Sequence, residues 1–136
     1  MNCLTREEIL LIHYAIMGEH HEDNQAGVKI EAKFEAMLAR PYAKYFGVEL
    51  FPTLFDKACC YYHTIVRMHI FFNGNKRTAL SVFLVLLEIN NYTLNVEDIF
   101  LEDYTVKIAH DEHDCAEEEV AKIVEELGLF LVHGDK

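Results

Sequence analysis

From Ala79 to Ile89 the chain is apolar on almost every side: Leu80, Val82, Phe83, Leu84, Val85, Leu86, Leu87 and Ile89 fall in this one short stretch. A helix made of such residues has no face to give to water, so its neighbours must cover it. The run is too short to span a bilayer, and the cover has to come from the chain itself. This predicts a helix from about Asn75 to Asn90 at the centre of an all-α domain, with Asn90-Asn91 suited to a left-handed C-terminal cap.

Immediately before this run stands His69-Ile70-Phe71-Phe72-Asn73-Gly74-Asn75-Lys76-Arg77. One helix should end near His69, the chain should turn at Asn73-Gly74, and the central helix should begin at Asn75 or Lys76. The first N–H groups of a helix lack partners and carry the positive end of its dipole, which makes a helix start an anion site. Lys76 and Arg77 add two cations. A histidine beside that site can take a proton near neutral pH. The expected arrangement is a phosphate cradle next to a general base, with His69 at the end of an apolar stripe and facing inward. Gly74 lets the backbone approach a phosphate closely. Arg77 can grip two oxygens where Lys76 acts as a point charge. Phe71 should be buried, pinning the loop.

The flanking segments supply the covering helices. Thr5 with Glu8 reads as a capping box, and Ile9, Ile12, His13, Ile16 and Met17 make one face of a first helix ending near Gly18. The polar residues 19–27, with His20-His21, read as a solvated loop, since adjacent histidines rarely chelate one ion. A second helix is predicted from Val28 to Arg40, stopped by Pro41. Residues Tyr42 to Phe51 read as a loop or a short β-hairpin. Pro52 fits the first turn of a third helix, whose stripe runs Leu54, Phe55, Ala58, Cys59, Tyr62, Ile65, Val66, and His63 is read as structural. Asn95 with Asp98 should open a fifth helix to about Ala109, and Asp114 with Glu117 a sixth to about Gly128. The acids between Asp111 and Glu126 read as a solvated face, and a metal held by His110 and His113 is disfavoured because no open catalytic shell can be assembled from them. The whole of 1–136 is thus predicted to be a single domain of about six helices around one buried helix.

Bulk properties narrow the function. The formal net charge is −11, which argues against direct nucleic-acid binding, because neutralising phosphates takes clustered Lys and Arg. The four cysteines, at 3, 59, 60 and 115, have no CxxC spacing and read as reduced, buried thiols of a cytoplasmic protein. The first residues lack a basic-then-apolar leader, and no membrane association is expected.

The junction resembles the signature of the Fic/Doc family: a histidine, any residue, phenylalanine, any residue, an acid, Gly or Ala, Asn, Gly or Lys, and Arg. His69, Phe71, Gly74, Asn75, Lys76 and Arg77 match. Asn73 stands where the family has Asp or Glu. Lys76, the following Thr-Ala-Leu and the absence of a second Arg at Leu80 resemble the Doc (death-on-curing) branch, as do Leu54 to Ala58 and the opening Leu4 to Ile9. The resemblance implies a Fic fold with His69 as catalytic base and Gly74, Asn75, Lys76 and Arg77 as the nucleotide-phosphate site. It also implies ATP as co-substrate, with Mg2+ held at position 73, where Asn73 is a weaker ligand than an acid. The Doc branch moves the terminal phosphate of ATP to a protein hydroxyl, its known target being elongation factor Tu, and so blocks translation. Its antitoxin folds a disordered segment onto the toxin in a type II toxin–antitoxin system, here expected at a groove of the first two helices. The 42–51 segment would be the flap that docks the target. AMP transfer, as in Fic enzymes with Gly after the Asn, and a catalytically silent binding module are the alternatives. The self-restraint motif of some Fic proteins has only a near match at Thr93 to Asp98.

Overall fold

The computed structural model describes residues 2–110 and 116–134. Helix α1 (Arg6–Glu19) opens with the expected capping box, the Thr5 hydroxyl accepting from the Glu8 N–H and the Glu8 carboxylate from the Thr5 N–H. α2 spans Glu31–Ala39 and gives way to a 3-10 turn at Arg40–Tyr42 that contains Pro41. Strands β1 (Lys44–Tyr45) and β2 (Val48–Glu49) form a hairpin. Then follow α3 (Leu54–Met68), α4 (Asn75–Ile89), β3 (Tyr92–Leu94), α5 (Asp98–His110), α6 (Ala116–Gly128) and β4 (Leu131–His133). The fold is all-α, with six helices and two small antiparallel pairs among the described residues.

The helix at the centre is α3, where the apolar pattern had pointed to α4. Twelve of the fifteen α3 residues are buried, because α2, α4, α5 and α6 all pack on it. On α4 only Thr78, Ala79, Val82, Phe83, Leu86 and Leu87 are buried; Leu80, Leu84 and Val85 are half-covered and Ile89 is exposed. Between the two helices Tyr62 stacks on Phe83 at 4.5 Å, and its hydroxyl bonds Thr105 on α5. α3 starts from a capping box of Thr53 and Asp56, so Pro52 lies just outside the helix and not in its first turn. Lys57, almost fully buried on α3, donates to the Phe51 carbonyl and pairs with Glu49, which ties the hairpin to the core.

Several other expectations are displaced. α2 begins at Glu31 and not at Val28, because residues 27–29 are engaged with the junction loop: Lys29 N–H donates to Ile70 O (2.8 Å) and Phe72 N–H to Gly27 O (3.1 Å). The strand β3 pairs with β4, Tyr92 opposite His133 and Leu94 opposite Leu131, two strands for which the sequence pattern gave no sign. Asn95 continues that ladder by donating to Phe130 O and does not cap α5. The left-handed cap expected after α4 at Asn90-Asn91 is present, at Asn91, with φ 64°. Among the supposedly solvated acids, Glu119 is buried at 8% exposure, facing His63 Nε2 at 3.4 Å and Arg67 Nε at 3.9 Å. Cys59 and Cys60 are buried while Cys3 is exposed. Asp114, His113 and Cys115 lie outside the described residues. His20, His21 and His110 are exposed, and among the described residues no group of three or more His, Cys, Asp or Glu could hold a metal. No helix among them is long and apolar enough to cross a membrane.

Candidate active site

α3 ends because its cap residue, His69, turns left-handed (φ 52°, ψ 51°). Histidine tolerates that conformation better than most residues. The turn swings the imidazole out of the apolar stripe, so His69 is exposed and does not face the core as its spacing suggested. It lines a cleft of about 450 Å³ whose other walls are Asn73, Gly74, Asn75, Lys76 and Arg77 at the start of α4, with Val66, Arg67, Phe72 and Ala109. A proton acceptor and a helix amino end therefore face one open space.

The loop between them is held from three sides. Ile70 and Phe71 are buried. The Asn75 side chain receives the Phe71 N–H (2.9 Å) and donates to the Phe71 carbonyl (3.0 Å), so what Asn75 can offer an anion is its backbone amide. Gly74 is left-handed (φ 72°), and a Cβ there would stand 2.6 Å from Met17 Sδ of α1; the glycine is required by packing as well as by the turn. On the third side stands His13 of α1, fully buried and stacked on Phe71 at 3.9 Å. Its Nε2 accepts from Gly27 N–H (2.9 Å), which leaves Nδ1 to carry the proton and donate to Thr78 Oγ1 (2.9 Å).

His13 must be neutral to do this. Burial, and secondarily the Arg77 charge, lower its pKa to about 4. The unfolded chain then binds this proton from pH 6.5 downward while the folded chain refuses it until about 4, so stability is lost as pH falls through that window. We predict a loss of about 2–3 kcal/mol between pH 7 and 4 from this one group, read by urea unfolding as the part of the pH dependence missing from His13→Gln.

Lys76 is exposed, with no ion-pair partner among the described residues. Arg77 Nη2 pairs with Glu22 Oε2 at 2.7 Å. Asn73 accepts from the Gly74 N–H (2.8 Å) and donates to Glu22 Oε2 (3.1 Å) and Gln25 Oε1 (2.8 Å). Arg67 Nη1 reaches the last carbonyls of α5, Ile108 (3.4 Å) and Ala109 (3.2 Å), and so sets the far wall of the cleft. The sequence reading missed Glu22, Arg67, His13 and Thr78. Glu22 lay in a loop taken as solvated, and nothing in the local pattern links it to residues fifty-odd positions away.

Chemically the α4 amino end, Lys76 and Arg77 can hold an anion with several oxygens, such as a polyphosphate. Mg2+ is commonly bound by one or two carboxylates with phosphate and water oxygens completing the shell. The Glu22 carboxylate beside Asn73 fits that pattern.

A model of the Fic/DOC family matches residues 3–87. Over 91 residues the chain is 33% identical to Toxin Doc of Mycolicibacterium smegmatis, the match covering 67% of this chain and 66% of that protein. The chain thus spans about two thirds of the length of that relative. The family match takes in both helix ends of the cleft and the loop that joins them, and on it the chain belongs to the Fic/DOC family.

Proposed function

We propose that this protein is a Doc-like toxin that transfers the terminal phosphate of ATP to a Ser or Thr hydroxyl of a translation factor, elongation factor Tu by family resemblance. The observation that carries the reading is the shared cleft of His69 and the Lys76-Arg77 helix start. His69 accepts the proton of the attacking hydroxyl, whose oxygen bonds to the terminal phosphorus as the bond to the bridging oxygen breaks and ADP leaves. This proton transfer contributes about 10²–10⁴-fold. The α4 amides, Lys76 and Arg77 neutralise charge on the phosphate oxygens, the main requirement of phosphoryl transfer. Mg2+, when bound, adds further neutralisation.

The hairpin supports a docking role for the target, since Tyr45 and Phe46 are 66% and 90% exposed and short strands offer free edges. Leu11, Tyr14 and Ile30 are likewise exposed on α1 and at the start of α2, where a disordered antitoxin segment would fold. Both partners, and a cytoplasmic location, are part of the proposal.

We predict that ATP labelled at the γ-phosphate marks a purified translation factor in the presence of this protein, mapped to a Ser or Thr by mass spectrometry. Label entering only from the α-phosphate overturns the kinase reading in favour of AMP transfer. One observation favours a second reading, a nucleotide-binding module without transfer: an amide, Asn73, stands where the family has an acid. Nucleotide binding without label from either position selects it.

A further inference from the structure

We propose that Glu22 is the acid of this site: its carboxylate, and not a side chain at position 73, supplies the protein's ligand to the divalent cation that accompanies a bound nucleotide polyphosphate. The inference rests on the nucleotide-binding reading above.

Three bonds fix how Asn73 lies. Its oxygen faces the Gly74 N–H, and its amide nitrogen faces Glu22 and Gln25. Only an amide satisfies both sides. An aspartate in the same pose would set an oxygen against Glu22 Oε2, now 3.1 Å from the Asn73 nitrogen, and like charges at that distance repel strongly. Asn73 and Glu22 are therefore a matched pair: a neutral donor at one position accompanies a carboxylate at the other, and the site keeps one acid.

Glu22 is also held in place. Its N–H donates to Met17 O (2.8 Å) and its carbonyl accepts from Gln25 N–H (2.9 Å). Its side chain is one-third exposed (33%). Oε2 receives both Asn73 and Arg77, while Oε1 has no bonding partner among the described residues. The Arg77 guanidinium holds the Glu22 carboxyl below its usual range, so it stays ionised. An arriving polyphosphate competes for Arg77. As the guanidinium turns to phosphate oxygens, the carboxylate becomes free for the cation those phosphates carry. Mg2+ needs no more from the protein than one such oxygen, with phosphate and water completing the shell.

The test is Mn2+ affinity, measured by electron paramagnetic resonance on the full chain with a non-hydrolysable ATP analogue, together with affinity for the analogue in metal-free buffer. Circular dichroism controls for folding. Glu22→Gln should weaken Mn2+ in the ternary complex about tenfold or more, and metal-free analogue should bind as well or better because Arg77 is released. Asn73→Asp alone should not improve Mn2+ binding, whereas the double variant Glu22→Gln/Asn73→Asp should recover it. Unchanged Mn2+ affinity in Glu22→Gln overturns the proposal. So does a rise in analogue affinity that is equal with and without metal, which would make Glu22 only a restraint on Arg77. If the wild type binds the analogue under neither condition, the nucleotide reading itself fails, an outcome distinct from the two that refute Glu22 alone.

Discussion

His69→Ala should leave the protein folded and lower transfer by about 10²–10⁴-fold. The fold survives because the side chain is exposed at the end of α3, with no core contact to lose. The residue is, however, left-handed (φ 52°), a conformation that histidine tolerates better than alanine does, so alanine there also costs some stability. His69→Asn, which accepts that backbone geometry more readily, separates the two effects: it should melt near wild type and be as inactive as alanine. Single-turnover rates with labelled ATP and circular dichroism melts are the measurements. Growth inhibition on expression should disappear in parallel. A well-folded His69→Asn protein that still transfers at wild-type rate would remove the imidazole from the chemistry.

Asn75→Ala should be the more damaging change to structure, at about 2–4 kcal/mol. The estimate comes from two lost hydrogen bonds at about 1 kcal/mol each and the desolvation of a buried N–H that loses its partner. Phe71 is 1% exposed, so water cannot easily replace the amide. Asn75→Asp keeps an acceptor for the Phe71 N–H but loses the donor to its carbonyl, and should fall between the two. Urea unfolding ranks the three proteins. A loss under about 0.5 kcal/mol for Asn75→Ala, the size of an ordinary surface change, would show that the loop does not depend on this side chain.

Elements specified by residues near in sequence were readable. Thr5 and Glu8 sit within one turn, so the start of α1 could be placed. The Asn73-Gly74 turn announced the junction of α3 and α4, and the Gly47 region announced a loop or hairpin. What depends on partners far along the chain could not be read. β3 and β4 are three residues each, too short to show alternation, and neither strand exists without the other. Glu119 belongs to an acidic run and differs from its neighbours only because His63 and Arg67 stand opposite. Apolar content marked α4 as the centre, but centrality depends on how many elements pack on a helix, and α3 has more of them. The position of His69 in the site was legible; its orientation was not, because the left-handed cap that turns it is a property of the backbone.

The junction loop is also tied down from outside itself. Its geometry depends on Gly27 meeting Phe72, on His13 meeting Thr78 and on Glu22 meeting Arg77, each a contact between segments far apart in the chain. Each such contact closes a long loop and has to offset its closure entropy. A nascent or partly opened chain can therefore carry every motif residue and still present no competent cleft. The shape of the cleft thus rests on how α1 and residues 20–29 pack against the loop, and not on the motif residues alone.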